Sequence, residues 1–92
     1  MADITVAALP SHQYLVTVAD DTGQTQHRVT MKPAFYESYQ EEARSPERLL
    51  TVAFDFILER EPKESILAEF DVTVISRYFP GFEEELRNRL RA

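Results

Sequence analysis

Apolar positions are densest between residues 44 and 62, where Leu49, Leu50, Val52, Ala53, Phe54, Phe56, Ile57 and Leu58 fill most of a helical circumference. Only Arg48, Thr51, Asp55 and Glu59 form a polar stripe, at spacings of three and four. Ser45 is placed to N-cap this helix, Pro46 suits its first position, Glu47 favours the positive end of its dipole, and Pro62 stops it. A helix so apolar must be covered from more than one side, so the flanking segments are expected to pack around it.

Ahead of it the pattern changes to period two. Ile4, Val6 and Ala8 alternate within residues 3 to 9, and Pro10 and Ser11 break the run. Residues 13 to 19 place Tyr14, Val16 and Val18 on one face of a strand. Asp20, Asp21, Thr22 and Gly23 predict a turn, with Gly23 free to take positive φ. Residues 24 to 31 return with Thr25, His27, Val29 and Met31 on one face and Gln24, Gln26, Arg28 and Thr30 on the other.

The remaining spacing is helical. A helix is predicted from Pro33 to about Ala43, with Phe35, Tyr36, Tyr39 and Ala43 on its apolar side. Residues 63 to 70 predict a short helix burying Ile66, Leu67 and Phe70. Asp71 is expected to N-cap the next one, whose stripe is Val74, Ile75, Tyr78 and Phe79 and which Pro80 and Gly81 close. The last helix, 82 to 91, lines up Phe82, Leu86 and Leu90. The expected fold class is therefore α+β, a single domain over residues 1 to 92. A small antiparallel sheet, either a hairpin or a three-strand meander within residues 3 to 31, precedes four to five helices over 33 to 91 packed around one central helix.

Composition narrows what such a domain does. Ninety-two residues suffice for one core, and the formal net charge of −6, from 16 acidic against 10 basic residues, argues against a general phosphate-binding surface. Cysteine is absent, which removes disulfides, thiolate nucleophiles and Cys-type zinc sites and fits a reducing cytoplasm. No basic region precedes an apolar run at the start of the chain, and no uncharged apolar run reaches the roughly 20 residues that span a bilayer. A cytoplasmic protein without a membrane association is the expectation.

From the second strand of the hairpin through Ser45-Pro46-Glu47, residues 56 to 62, Glu64 to Leu67, Phe70-Asp71, Ile75 and Tyr78-Phe79-Pro80, the chain resembles a family of small uncharacterised bacterial proteins. That resemblance covers residues 24 to 90 and implies a bacterial, self-contained domain without any assigned activity. A more local likeness, in Arg28-Val29-Thr30-Met31 followed by two helices meeting near Arg44, is to ribbon-helix-helix DNA-binding regulators and antitoxins. It would set Arg28 and Thr30, with Gln26, in the major groove. The strand's hairpin partner, the later helices and the acidic balance depart from that pattern, so nucleic acid is the lesser expectation.

Candidate chemistry is sparse. His12 and His27 have no ligand at metal-like helical spacing, and Ser11, Ser38, Ser45, Ser65 and Ser76 lie outside any nucleophile elbow. The carboxylates at 41 and 42, 59 and 61, and 83 to 85 belong to solvated faces, and the glutamates and arginines of the last helix simply match its dipole. Two glycines make no phosphate loop, and the turn at Asp20 and Asp21 is too short for an EF-hand. No catalytic residue, metal or cofactor is assigned, and the expectation is a non-enzymatic domain acting by protein association, as a homo-oligomer or an accessory subunit. Tyr36, Tyr39, Phe79 and Phe82 are the candidates for its interaction surface.

Overall fold

The computed structural model describes residues 2–92 and begins with a three-strand antiparallel meander. β1 (Asp3–Leu9), β2 (Gln13–Asp20) and β3 (Gly23–Thr30) pair in unbroken register, from Asp3 opposite Ala19 to Leu9 opposite Gln13 and from Asp20 opposite Gly23 to Gln13 opposite Thr30. Asp20 Oδ1 closes the second turn by accepting from the Thr22 amide at 2.9 Å and the Thr22 hydroxyl at 2.7 Å, and Gly23 takes φ +129°. In the first turn Ser11 and His12 both lie in the left-handed region, at φ 63° and 61°. His12→Gly should therefore stabilise the fold by about 0.5–1 kcal/mol, the relief of left-handed strain less glycine's greater unfolded-state freedom. A higher urea midpoint with unchanged slope checks it.

The expected helix from 33 to 43 is two pieces, α1 (Pro33–Glu37) and α2 (Gln40–Ala43), separated where Tyr39 leaves helical geometry at φ −125°. The reason is tertiary. Tyr39 is buried, its hydroxyl donates to Glu83 at 2.6 Å, and the Arg87 guanidinium lies over its ring at 4.5 Å. So short a helix has little stability of its own to set against those contacts.

α3 (Pro46–Leu58) has the expected start, with the Arg48 amide donating to Ser45 Oγ at 3.1 Å. It ends ahead of Pro62, where the amides of Arg60 and Glu61 both return to the Ile57 carbonyl. Leu49, Leu50, Ala53, Phe54, Phe56 and Ile57 are buried, against the inner face of the sheet on one side and the later helices on the other.

The segment from 63 to 70 corrects the sequence reading. Only Lys63–Ser65 turns, as a 3-10 helix, and Glu69–Asp71 is a fourth strand, β4. β4 lies parallel to β3 with Arg28, Val29 and Thr30 opposite Glu69, Phe70 and Asp71, so the sheet is mixed, in the order β1-β2-β3-β4. The Arg28 amide donates to the Ala68 carbonyl at 2.8 Å and the Val72 amide to Thr30 at 2.9 Å. α1 to α3 thus form the crossover that two parallel neighbours require. Asp71 does not cap the next helix: its Oδ1 accepts from the amide and hydroxyl of Thr73, closing the turn into α4 (Val74–Tyr78). Gly81, at φ +90°, then leads into α5 (Phe82–Arg91), which buries Phe82, Leu86 and Leu90 as its spacing predicts.

Charges tie the parts together. Lys63 is only 3% exposed, and its ammonium donates to Asp20 at 2.8 Å, to Glu64 at 2.7 Å and to the Thr22 hydroxyl. Those bonds hold Lys63 above its ordinary pKa and Glu64 below its own, and the ammonium with the Thr22 donors lowers Asp20 from 3.8 to about 2. On the far side Arg89 grips both oxygens of Glu59, at 2.8 and 2.7 Å, and Glu85 at 2.8 Å, which lowers Glu59. Because the folded value of Asp20 lies below the unfolded one, its contribution is present above about pH 4 and is lost as pH falls toward 2. Urea midpoints should drop over that range, and Asp20→Asn should lower the neutral-pH midpoint while flattening the acid arm.

Candidate functional site

An apolar groove of about 310 Å³ opens beside β4, between the end of α3, the segment after the 3-10 turn, and α4. Its base is built from the core outward. Ile75 is buried, Phe70 packs on Phe54 with ring centres 6.2 Å apart, and Phe79 meets Phe56 edge-on at 5.8 Å. Ile57, Ile66 and Val74 complete the apolar wall, while Glu61 and Ser65 stand among its polar members. On its rim are Leu67 and Tyr78, 49% and 67% exposed, the large hydrophobic side chains left most open to solvent among the described residues.

The outward turn of Leu67 has an identifiable cause. His27, buried on the inner face of β3, has Nδ1 2.8 Å from the Leu67 carbonyl and Nε2 2.8 Å from Thr25 Oγ1. A carbonyl only accepts, so Nδ1 carries a proton and donates it to Leu67, while Nε2 and the Thr25 hydroxyl share a second hydrogen bond. The imidazole also packs against Phe54 at 5.6 Å. It therefore pins the backbone of 67 to the sheet as the chain enters β4. His27 is a positioning residue for the groove, reached from sequence only as a strand histidine. His12, by contrast, sits exposed in the first turn.

Of the four aromatics expected at an interaction surface, Phe79 lines the groove and Tyr36 is half-buried elsewhere. Tyr39 and Phe82 are 1% and 0% exposed and belong to the core, which corrects their assignment to a surface. Burial raises the Tyr39 phenol well above its ordinary pKa, and its bond to Glu83 adds to the shift. Leu67 and Tyr78 do reach solvent, although their spacing fits a helix stripe and so predicts burial.

Gln26, Arg28 and Thr30 share the outer face of β3, but β3 lies between β2 and β4. Along Arg28 to Thr30 neither edge of β3 is free to pair with a symmetry mate, which departs from the symmetric ribbon of ribbon-helix-helix proteins. A second, polar cleft at Glu41, Glu42, Arg44, Arg48 and the last residues of α5 is a joint between helix ends. There the Arg48 guanidinium donates to the carbonyls of Glu42 at 2.7 Å and Leu90 at 3.3 Å. Among the described residues no three His, Asp or Glu side chains converge as metal ligands would, and no helix is long and apolar enough to cross a membrane.

No family model matches this chain, and no curated protein or solved structure does. The groove is an apolar trough with Glu61 and Ser65 among its lining, the shape and chemistry of a site for an apolar group.

Proposed function

We propose that this protein is a small bacterial cytoplasmic accessory domain that works by binding another protein rather than by catalysis. The observation that carries the reading is the groove itself, with Leu67 and Tyr78 held outward on its rim. Monomeric surfaces seldom leave large apolar side chains clustered beside a cavity unless a partner covers them. The net charge of −6 and Glu61 in the groove wall favour a partner that sets basic residues around its apolar anchor. The resemblance over residues 24 to 90 accounts for the bacterial setting, and the lack of cysteine fits the cytoplasm.

The test compares tagged wild-type protein with a Leu67→Ser, Tyr78→Ser double variant as baits in bacterial extract. Both substitutions are at exposed positions and should leave the circular dichroism and melting temperature nearly unchanged. A protein retained by the wild type at 0.5 M salt and lost from the variant is the expected result. Equal retention by both baits, or no partner for either, would count against the groove as a binding site.

A further inference from the structure

The sheet has a second unpaired feature, distant in sequence from the groove: the outer edge of β1. Its hydrogen-bonding phase follows from the register. On β3, Arg28 and Thr30 turn their main-chain groups toward β4, so the alternate residues Val29, His27 and Thr25 bond to β2. Carried across β2, that phase directs Asp3, Thr5, Ala7 and Leu9 of β1 inward to β2. The amides and carbonyls of Ile4, Val6 and Ala8 are then left pointing out of the sheet.

This edge carries none of the usual defences. Over seven residues it has no lysine, no proline and no bulge, and its one charge is Asp3 at the end. Pro10, two positions beyond Ala8, is the first residue on the same side to lack a donor.

We infer that β1 is the interface for a second copy of this chain, paired antiparallel about a two-fold axis at Val6 to give one continuous eight-stranded sheet. That register makes the edge self-complementary. Val6 faces the partner's Val6, and Ile4 faces the partner's Ala8 in both directions, so all three free amides and all three free carbonyls are used, in about six hydrogen bonds. Centring on Ala8 instead would oppose Val6 to the partner's Pro10, which has no N–H to give. Centring on Ile4 would oppose Val6 to the partner's Ala2, which lies ahead of the strand. The Val6 register also keeps the two Asp3 carboxylates at opposite ends of the junction, roughly 20 Å apart and beyond a Debye length at physiological salt. Ile4 and Val6, half-buried and packed on the core, would be covered by their counterparts.

The absence of cysteine makes the register directly readable. In the inferred dimer Thr5 and the partner's Ala7 form a non-hydrogen-bonded pair with Cα atoms roughly 4.5 Å apart, within disulfide reach. Both side chains are on the exposed outer face, so replacing them leaves the monomer core intact. A Thr5→Cys, Ala7→Cys double variant at 50 µM under mild oxidation should run as a covalent dimer on non-reducing gels. An Asp3→Cys, Thr5→Cys control, whose thiols meet only in a shifted register, should cross-link at least tenfold more slowly.

Light scattering of the wild type should give twice the chain mass, more completely at 0.5 M than at 0.05 M salt because the two copies share a negative charge. Thr5→Lys with Ala7→Lys should return the single-chain mass with unchanged circular dichroism. A wild type that stays monomeric at millimolar concentration, a dimer indifferent to the two lysines, or equal cross-linking by both cysteine pairs would each overturn the inference. The Leu67→Ser, Tyr78→Ser variant should remain dimeric. Its conversion to monomer would assign the contact to the groove, whereas loss of the heterologous partner with the dimer intact leaves the edge standing independently.

Discussion

Phe54→Ala should destabilise the fold by about 3–5 kcal/mol, a large part of the roughly 5–15 kcal/mol that a domain of this size has available. Phe54 is fully buried at the middle of α3, with the His27 ring 5.6 Å away on β3 and the Phe70 ring 6.2 Å away on β4. Truncation removes a ring that packs against side chains of both strands at the parallel junction, and rigid strands beneath a helix cannot close over the void. Leu58→Ala, on the same helix but half-exposed, should cost about a third as much. Urea denaturation followed by far-ultraviolet circular dichroism distinguishes the two. Equal costs would mean that α3 does not sit with Phe54 inward, and the packing of the helix on the sheet would have to be redrawn.

Phe54 also marks how far the sequence carried. That α3 is nearly all apolar, and is therefore covered on several sides, follows from residue types alone, as do the alternating faces of β2 and β3 and the Phe82, Leu86, Leu90 line of α5. β4 was hidden because it is only three residues long and Ile66, Leu67 and Phe70 match a helix spacing, with Leu, Ala and Glu favouring the helix. Pairing decided it. β3 presents unbonded amides and carbonyls along one edge, and a segment of three residues satisfies those from Arg28 to Thr30.

The break at Tyr39 was hidden for a related reason, since its partners Glu83 and Arg87 are more than forty positions away and no local pattern announces them. Distance in sequence likewise hides Lys63 on Asp20, 43 positions apart, and the fork of Arg89 on Glu59, 30 apart. Arginines at the end of α5 read as dipole-matched solvent charge, and Arg91 and Arg87 do sit near the surface, yet Arg89 bolts α5 to the end of α3. Of the site, only Phe79 was in view beforehand. The groove exists because β4 replaces the expected helix, so whatever hid the strand hid the groove with it.

His27→Ala tests that dependence of the groove on β4. It should cost about 2–4 kcal/mol, from a lost ring against Phe54 and from a Leu67 carbonyl left without its donor. The loss should be uneven. Amides that depend on the 66–72 segment being docked, those of Arg28 and Val72, should exchange with deuterium at least tenfold faster, while the β1–β2 ladder, on the side of the sheet away from β4, keeps the rate set by global unfolding. His27→Asn restores a side-chain amide donor within reach of the Leu67 carbonyl and should recover part of the protection without recovering the ring packing. If all strands instead lose protection equally in both variants, the 66–72 segment opens only with the whole domain. His27 would then be an ordinary core residue, and the outward set of Leu67 would have to come from the Lys63 anchor and the pairing of β4 alone.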